Sequence, residues 1–424
     1  MMHLLIFPVL IPMVGAIVSL FFRMNDRYAG ISAVAGAVVH LVSTGLLLTA
    51  VVKQGVMVLW MGGWTFPAGI CLVADLLSAV LVVTTAVIHT AVMIYACKDL
   101  HTRQVRAGFH SFMQMLTAAV CGAFLTGDLF NLYVWFEVML MASFGILVMG
   151  HPAGRLTSAV KYVTLNLVST LMLLTGIGLI YGLTGTLNLA DLHEKVLAVE
   201  NTAALTSTAM LLMTAFGIKA ALFPLFFWLP AAYPTLPPGV AAFFGGLLTK
   251  VGVYALIRLF TLVFVSQPQI TRTTLMAAAL LTMVSGVVTA ASQTDIRRIL
   301  SFHIISQVGY MVLGLAVYTP LALAAALVYM VHNIIAKANL FLVGGLIHRV
   351  TGSFDLSQIG SLYKTHGLLA VLFFIPAFAL AGVPPLSGFW AKLLIIYACL
   401  ESRHYLPAAL AAGVGLLTLF SMVK

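Results

Sequence analysis

Apolar runs of 18 to 25 residues recur along the chain, separated by short stretches that carry charge, glycine or proline. As helix, such a run covers the roughly 30 Å of hydrocarbon in a bilayer. Segments of about ten residues with strict apolar/polar alternation, the mark of a membrane barrel, do not occur. Backbone groups in lipid must be satisfied within their own segment, which leaves helices. The pattern predicts an all-α polytopic membrane protein with thirteen spans, near 3–22, 29–52, 72–96, 107–126, 129–150, 158–183, 203–230, 239–265, 273–292, 300–318, 320–347, 366–400 and 405–424. Residues 54–70, with Gly62, Gly63, Pro67 and Gly69, read as a turn or short hairpin. Residues 187–200 (LNLADLHEKVLAVE) read as a short amphipathic helix lying at the membrane interface.

Composition sharpens this picture. Apolar residues make up 62% of the 424 positions and charged residues 8%, where a soluble domain is about a quarter charged. The net charge of +10 does not indicate nucleic acid, because the basic residues stand singly or in small groups beside apolar spans. Lysines and arginines after odd-numbered spans number eleven (Arg23, Arg27, Lys98, Arg103, Arg106, Arg155, Lys161, Arg297, Arg298, Arg349, Lys364), against five after even-numbered ones (Lys53, Lys195, Arg258, Arg272, Arg403). The positive-inside rule then puts the odd loops in the cytoplasm and the N-terminus outside. The N-terminal Met-Met-His-Leu-Leu lacks a basic leader region and reads as the start of a retained first helix. Cys71, Cys97, Cys121 and Cys399 are dispersed, and no CxxC pair indicates a disulfide framework or an iron–sulfur site. No GxGxxG, Walker A or HExxH motif appears, so no cofactor or metal is expected.

Against this background the ionisable residues inside the spans stand out. Glu137 lies in FNLYVWFEVMLMASF, Lys219 in LMTAFGIKAALFPLFFWLP, Lys250 in FFGGLLTKVGVYAL, Lys337 in VHNIIAKANLFLVGG and Lys392 in PPLSGFWAKLLIIYA. A charge at mid-span costs at least about 2.5–3.5 kcal/mol on insertion scales, so such groups pair or line water. A lysine near a helix end can instead snorkel harmlessly to the headgroups, an alternative that bears most on Lys337. Glu137 and Lys219 read as near the middle of their spans and can form a buried pair. Burial favours the neutral lysine and a nearby carboxylate the charged one, so moving the carboxylate would make the lysine hold or release a proton. A rigid structural ion pair is the alternative.

Two spans are interrupted: Pro224 and Pro230 break the seventh just after Lys219, and Pro384 and Pro385 break the twelfth just before Lys392. Broken helices expose backbone groups and half-helix dipoles at mid-membrane, a recurring device at transporter ion sites. Pro-Leu-Phe-Phe-Trp at 224–228 echoes Pro-Leu-Ser-Gly-Phe-Trp at 385–390, hinting at a duplication of about five helices. His332, five residues before Lys337 and close to the same helical side, can relay protons, as can His303 at the opening of the tenth span. A histidine satisfied by a neighbouring carbonyl is the alternative for each. Haem ligation by His89 and His110 has no supporting motif, and Asp75 and Asp128 read as helix caps.

The motifs FNLYVWFEVM, KAALFPLFFWLPAAYP, GLLTKVGVYAL, QTDIRRILSFHIISQVGY, HNIIAKANLFLVGG and AGVPPLSGFWAKL together make the chain resemble the proton-translocating antiporter-like subunits shared by respiratory complex I, membrane-bound hydrogenases and Mrp cation/proton antiporters. Within that superfamily it is most similar to the D-type subunits of Mrp Na+/H+ antiporters. Complex I relatives commonly carry a histidine in the loop after the broken seventh helix, where this chain has Tyr233, and a lysine at 392 also fits. The resemblance implies fourteen helices with two inverted five-helix repeats, helices 4–8 and 9–13, in which helices 7 and 12 are broken. One membrane domain, 1–424, would then divide into N-terminal helices (1–106), a first repeat (107–265) and a second repeat (266–424). The thirteen spans fall one short of fourteen, and the last stops at Lys424 without a polar tail, so a missing C-terminal helix is expected. The resemblance further implies a hydrated axis through Glu137, Lys219, Lys250, His332, Lys337 and Lys392.

The function these residues suggest is a proton-translocating subunit of a multisubunit Na+(cation)/H+ antiporter of the cell membrane, driven by the proton-motive force. The chain would be a secondary transporter subunit with no enzymatic activity of its own, and its partners the other subunits, H+, Na+ and lipid. The alternative is a proton-pumping subunit of NADH–quinone oxidoreductase or a membrane-bound hydrogenase. A non-transporting scaffold is a third class, and it requires that neutralising the intramembrane lysines leave cation fluxes unchanged.

Overall fold

The computed structural model describes residues 2–64, 69–149, 153–265, 268–360 and 362–424. Pro67 of the anticipated hairpin, and the side chain of Arg155, lie outside the described residues. The chain forms two compact units, Met1–Phe216 with Tyr254–Gln267, and Gly217–Val253 with Pro268–Lys424.

The first unit opens with α1 (Phe7–Phe22) and α2 (Asp26–Gln54), where Asn25 caps α2 by accepting the N–H groups of Arg27 and Tyr28. A hairpin follows, β1 (Met57–Trp60) and β2 (Cys71–Ala74), antiparallel with Met57 opposite Ala74, so it reaches four residues past the stretch 54–70 read as a turn or short hairpin. Its second strand takes the first residues expected of the third span, and α3 (Leu76–Asp99) begins at a capping box between Asp75 and Ser78. The unit continues through α4 (Thr102–Arg106), α5 (Phe109–Leu125), α6 (Leu129–Val148), α7 (Ala153–Thr184) and α8 (Leu189–Leu197), the expected amphipathic helix. Helix α9 (Thr202–Ala220) leads into the second unit.

The second unit holds α10 (Trp228–Ala232) and α11 (Pro238–Phe243), followed by a π-helical turn, Phe244–Leu248, that enters α12 (Thr249–Arg258), whose residues from Tyr254 on belong to the first unit. Gly245 and Gly246 make that wide turn possible, because a Cβ on Gly245 would stand 2.6 Å from the Phe341 ring. Then come α13 (Pro268–Ser292), α14 (Ile296–Val317), α15 (Pro320–Thr351), α16 (Leu362–Thr365), α17 (Gly367–Ala381), α18 (Ser387–Glu401) and α19 (Tyr405–Val423).

Among the described residues ten helices are long and apolar enough to cross a membrane, and Phe7–Phe22, Phe109–Leu125 and Gly367–Ala381 are shorter apolar helices. The chain is thus an all-α polytopic membrane protein in its bulk. The count by length is ten where the hydropathy pattern predicts thirteen. The run read as one span over 366–400 is the helix pair α17 and α18, and the run over 203–230 ends as helix at Ala220.

Arg258, counted from the pattern as a helix-end charge, stands half-buried at the end of α12. Its Nη2 stands 2.6 Å from Asp75 Oδ2, and its Nε donates to the Tyr254 hydroxyl, which donates to Phe124 O at 2.7 Å. A charge held in this way reports packing, so it adds nothing to a loop-charge count.

Two stretches share one hydrogen-bond pattern at a constant offset of 167 positions. In the first, Asp128 caps α6 and bridges Asn188, the cap of α8; in the second, Asp295 caps α14 and bridges Asp355, the cap of a short 3-10 turn. Leu129 N donates to Leu187 O and Leu189 N to Gly127 O, matched by Ile296 N to Phe354 O and Leu356 N to Thr294 O. Helices α7 and α15 both have 32 residues. Each ends at a threonine, Thr184 or Thr351, whose hydroxyl donates to the carbonyls four residues before and two after it. A glycine with positive φ follows, Gly185 at 71° and Gly352 at 77°. The sequence signal is Thr-Gly-Thr-Leu-Asn-Leu at 184–189 against Thr-Gly-Ser-Phe-Asp-Leu at 351–356.

Candidate functional site

Lys219, Lys250, Lys337 and Lys392 all belong to the second unit and all are buried. The fold gives three of them a backbone carbonyl as partner. Lys250 Nζ donates to Gly245 O at 2.7 Å, a carbonyl of the π-helical turn just before it. Lys337, on α15, donates to Leu300 O of α14 at 3.3 Å. Lys392, in the second turn of α18, donates at 3.1 Å to Ala381 O, the last residue of α17, and its Nζ lies 4.6 Å from the centre of the Tyr310 ring. The carbonyls at a helix end have no intrahelical donor, so the break in the helix is what supplies this acceptor.

Lys219 stands one residue before the end of α9, which corrects its expected place at mid-span. The end is produced by Ala221, at φ 62°, and by tight packing of α12: a Cβ on Gly252 would sit 2.6 Å from Ala220 N and 2.9 Å from Lys219 C. Pro224 falls in the break, where Trp228 Nε1 donates to Ile218 O and Phe223 N is satisfied by Thr282 Oγ1 at 2.8 Å. Pro230 does not break a helix. It occupies the first turn of α10, where a missing N–H costs nothing. The second break runs from Gly382, at φ 94°, through Pro384 and Pro385 to the start of α18 at Ser387, as the proline pattern predicts.

His332 and Lys337 do not share a helical side. Five residues at about 100° each leave them about 140° apart. Accordingly, His332 Nδ1 meets Ser387 Oγ of α18 at 2.9 Å, whereas Lys337 turns to α14. Lys337 is fully buried, so the snorkelling alternative fails there. His303 stands well inside α14 rather than at its opening, fully buried, with Nε2 2.9 Å from Ser421 Oγ.

Polar residues that carry no charge complete the setting. Tyr310 donates to Ala411 O at 2.6 Å, Tyr329 donates to Gln307 Oε1, and the two rings lie 5.4 Å apart. His303 Nδ1, Gln307 Nε2, His332 Nε2 and both amide atoms of Asn333 are sealed from solvent without a hydrogen-bond partner among the described residues. Each such atom costs about 1–3 kcal/mol if left unsatisfied. Periodicity alone did not single out Tyr310, Tyr329, Gln307 or Asn333, since each is a tolerable polar residue in an apolar run. Lys337 interacts electrostatically with Lys250 and Lys392, and His303 with Lys337 and Lys392.

Glu137 belongs to the first unit, half-buried near the middle of α6, where its Oε1 is sealed without a hydrogen-bond partner among the described residues. The sequence-predicted site is thus divided: four lysines and His332 in one unit, and the carboxylate in the other.

Buried cations seated on carbonyls, beside helices broken at mid-run, define the class: a polytopic membrane protein with a polar interior built for ions. Residues 126–418 match the family model described as NADH:quinone oxidoreductase/Mrp antiporter, TM, and the chain belongs to that family. Over its full length it is 47% identical to the D-type subunit of the Na(+)/H(+) antiporter of Alkalihalophilus pseudofirmus, of which it covers 86%. It superposes on a chain of the Mrp complex from Dietzia sp. with a TM-score of 0.94 at 34% identity, covering 100% of this chain and 79% of that one. A chain of an archaeal membrane-bound sulfane sulfur reductase shares the fold alone, with a TM-score of 0.95 at 24% identity over 99% of this chain and 86% of that one.

Proposed function

We propose that this chain is the proton-translocating subunit of a multisubunit Na+/H+ antiporter of the cell membrane, a secondary transporter driven by the proton-motive force and not an enzyme. The observation that carries this reading is the set of carbonyl seats under Lys250, Lys337 and Lys392. A carbonyl accepts an N–H from an ammonium or from a neutral amine, so the seat holds the side chain in both protonation states. A carboxylate partner would instead lock the charge in place. Three lysines held this way can exchange protons in turn without losing their positions. The Na+/H+ antiporter subunit of A. pseudofirmus and the Mrp complex of Dietzia sp. support the coupling ion and the multisubunit setting.

The proton path in this reading runs through Glu137, Lys219, Lys250, His332, Lys337 and Lys392, with Glu137 acting on Lys219 as the switch. Hydrogen-bond patterns repeated at an offset of 167 support two five-helix repeats, the first within 107–265 and the second within 266–424. Inverted repeats, thirteen spans in this stretch of chain and an N-terminus on the outer side complete the proposed topology, in which one membrane domain covers 1–424. The other subunits, H+, Na+ and lipid are the partners.

The test is ΔpH-driven Na+ exchange by the purified complex in sealed vesicles. Glu137→Ala and Lys219→Ala should each abolish exchange while the complex still assembles; normal exchange in either variant overturns the path. The second reading is a proton-pumping subunit of a redox complex, NADH–quinone oxidoreductase or a membrane-bound hydrogenase, supported by the family model, whose description names NADH:quinone oxidoreductase beside the Mrp antiporter. Flavin or iron–sulfur subunits co-purifying with this chain would select it, and small membrane subunits alone would select the antiporter.

A further inference from the structure

We propose that the groove between α13, the end of α14 and the corner joining α18 to α19 binds an anionic phospholipid of the phosphatidylglycerol type, with its phosphate on Arg272. The groove has a volume of about 490 Å³, within the range of small-molecule sites. Arg272, Thr273 and His404 line its polar end; Met276, Ala277 and Leu280 continue it along α13.

Arg272 carries the argument. Its Cζ lies 3.8 Å from the centre of the Tyr318 ring, within cation–π range. Tyr318 is itself fixed as the cap of α14 in a left-handed conformation, φ 59°, with its N–H on Gly314 O. The ring holds the guanidinium in place, and its Nη groups remain to meet a phosphate. Among the described residues no carboxylate stands within ion-pair distance of Arg272. An oriented cation without a counter-charge calls for an anion. His404 adds a second donor on the far wall.

The apolar half of the groove selects which anion. Met276, Ala277 and Leu280 form an apolar stripe of the groove along α13, and Ala277 is exposed on a face that meets lipid in a membrane-spanning helix. A free phosphate would use Arg272 and leave this stripe idle, whereas a phospholipid places its phosphate and an acyl chain at once. Phosphatidylcholine brings its own cation and loses the charge match.

The experiment titrates phosphatidylglycerol into the delipidated native complex in detergent, read by native mass spectrometry and by the thermal midpoint. Phosphatidylcholine of the same chains and glycerol phosphate serve as comparisons. Phosphatidylglycerol should bind and raise the midpoint, phosphatidylcholine should bind more weakly, and glycerol phosphate alone should do nothing. Arg272→Gln should weaken phosphatidylglycerol roughly five- to tenfold, the scale of one basic contact. Ala277→Trp, which fills the apolar end and keeps the arginine, should weaken it too. Equal binding of the two lipids, or unchanged binding in both variants, overturns the proposal. A full shift by glycerol phosphate overturns it in favour of a plain phosphate site, and a partner subunit cross-linked at position 277 overturns it in favour of a protein contact. If Arg272→Gln does not fold, the lipid comparison and Ala277→Trp still decide.

Discussion

Asp128 and Asp295 cap equivalent helices, yet their carboxyls are shifted in opposite directions. Burial pushes Asp128 above the usual carboxylate range, against the N–H groups of Asn131 and Phe130 that pull it down. Burial acts in the same sense on Asp295, but the hydrogen bonds and charge of Arg297, 2.7 Å away, outweigh it and hold that carboxyl low. A carboxyl lowered in the folded state adds stability that is complete above its unfolded value and fades as pH falls through the folded one. Asp295→Asn should therefore cost roughly 0.5–1 kcal/mol at neutral pH, the scale of a partly exposed pair. The gap to the parent chain should close below the carboxylate range. Asp128→Asn keeps a capping oxygen and removes a buried charge, so it should cost less at neutral pH. Thermal midpoints in detergent at neutral and acid pH check both; a gap for Asp295→Asn that persists in acid would contradict the assignment.

At the scale of elements, the second break depends on a residue with no side chain. A Cβ on Gly388 would lie 1.8 Å from Ala379 O and 2.7 Å from His332 Nε2, so α18 meets the backbone of α17 and the His332 ring of α15 there. Gly388→Ala should cost at least about 1–3 kcal/mol by overpacking. It should also move His332 off Ser387. Gly413→Ala, with nothing within 4 Å, should be neutral or mildly stabilising. Thermal midpoints of the two variants, measured together, decide; equal values would show that the contact at Gly388 is loose. The intramembrane lysines and the proline at 385 were legible in the sequence because a charge or a proline in an apolar run costs free energy that only structure can offset. The carbonyls under Lys250, Lys337 and Lys392 were not, because every residue has one and only the fold selects which is freed. The wide turn before Lys250 left a faint trace as Gly245–Gly246. The duplication was legible in six-residue form at 184–189 and 351–356, too short to stand out without the hydrogen bonds that repeat with it. Reading His332 beside Lys337 failed on helical geometry, where a separation of four residues would have served and five does not.

On the scale of the whole molecule the open question is whether the lysines act in series or in parallel. They sit on three different supports: a π-helical turn for Lys250, the flank of α14 for Lys337 and the broken end of α17 for Lys392. Each support is independent of the others, so a substitution at one leaves the remaining seats intact. If the proton passes through all three, removing any one stops the flow, and removing a second adds nothing. Each of Lys250→Ala, Lys337→Ala and Lys392→Ala should then lower exchange on the order of a hundredfold or more, the scale of losing a placed proton carrier. The Lys250→Ala/Lys392→Ala pair should match either single variant, a non-additivity that marks groups working as one unit. Parallel routes predict the reverse, partial losses in the singles and a multiplied loss in the pair. Initial rates of ΔpH-driven exchange in vesicles, normalised to assembled complex, separate the two cases. Lys→Arg variants guard the interpretation: arginine keeps the charge and cannot be deprotonated, so it should fail as a carrier even where it fits the seat. Exchange retained by Lys250→Arg or Lys392→Arg would reduce these residues to fixed charges that attract or repel ions, and the proton would have to travel by the tyrosines, the histidines and water.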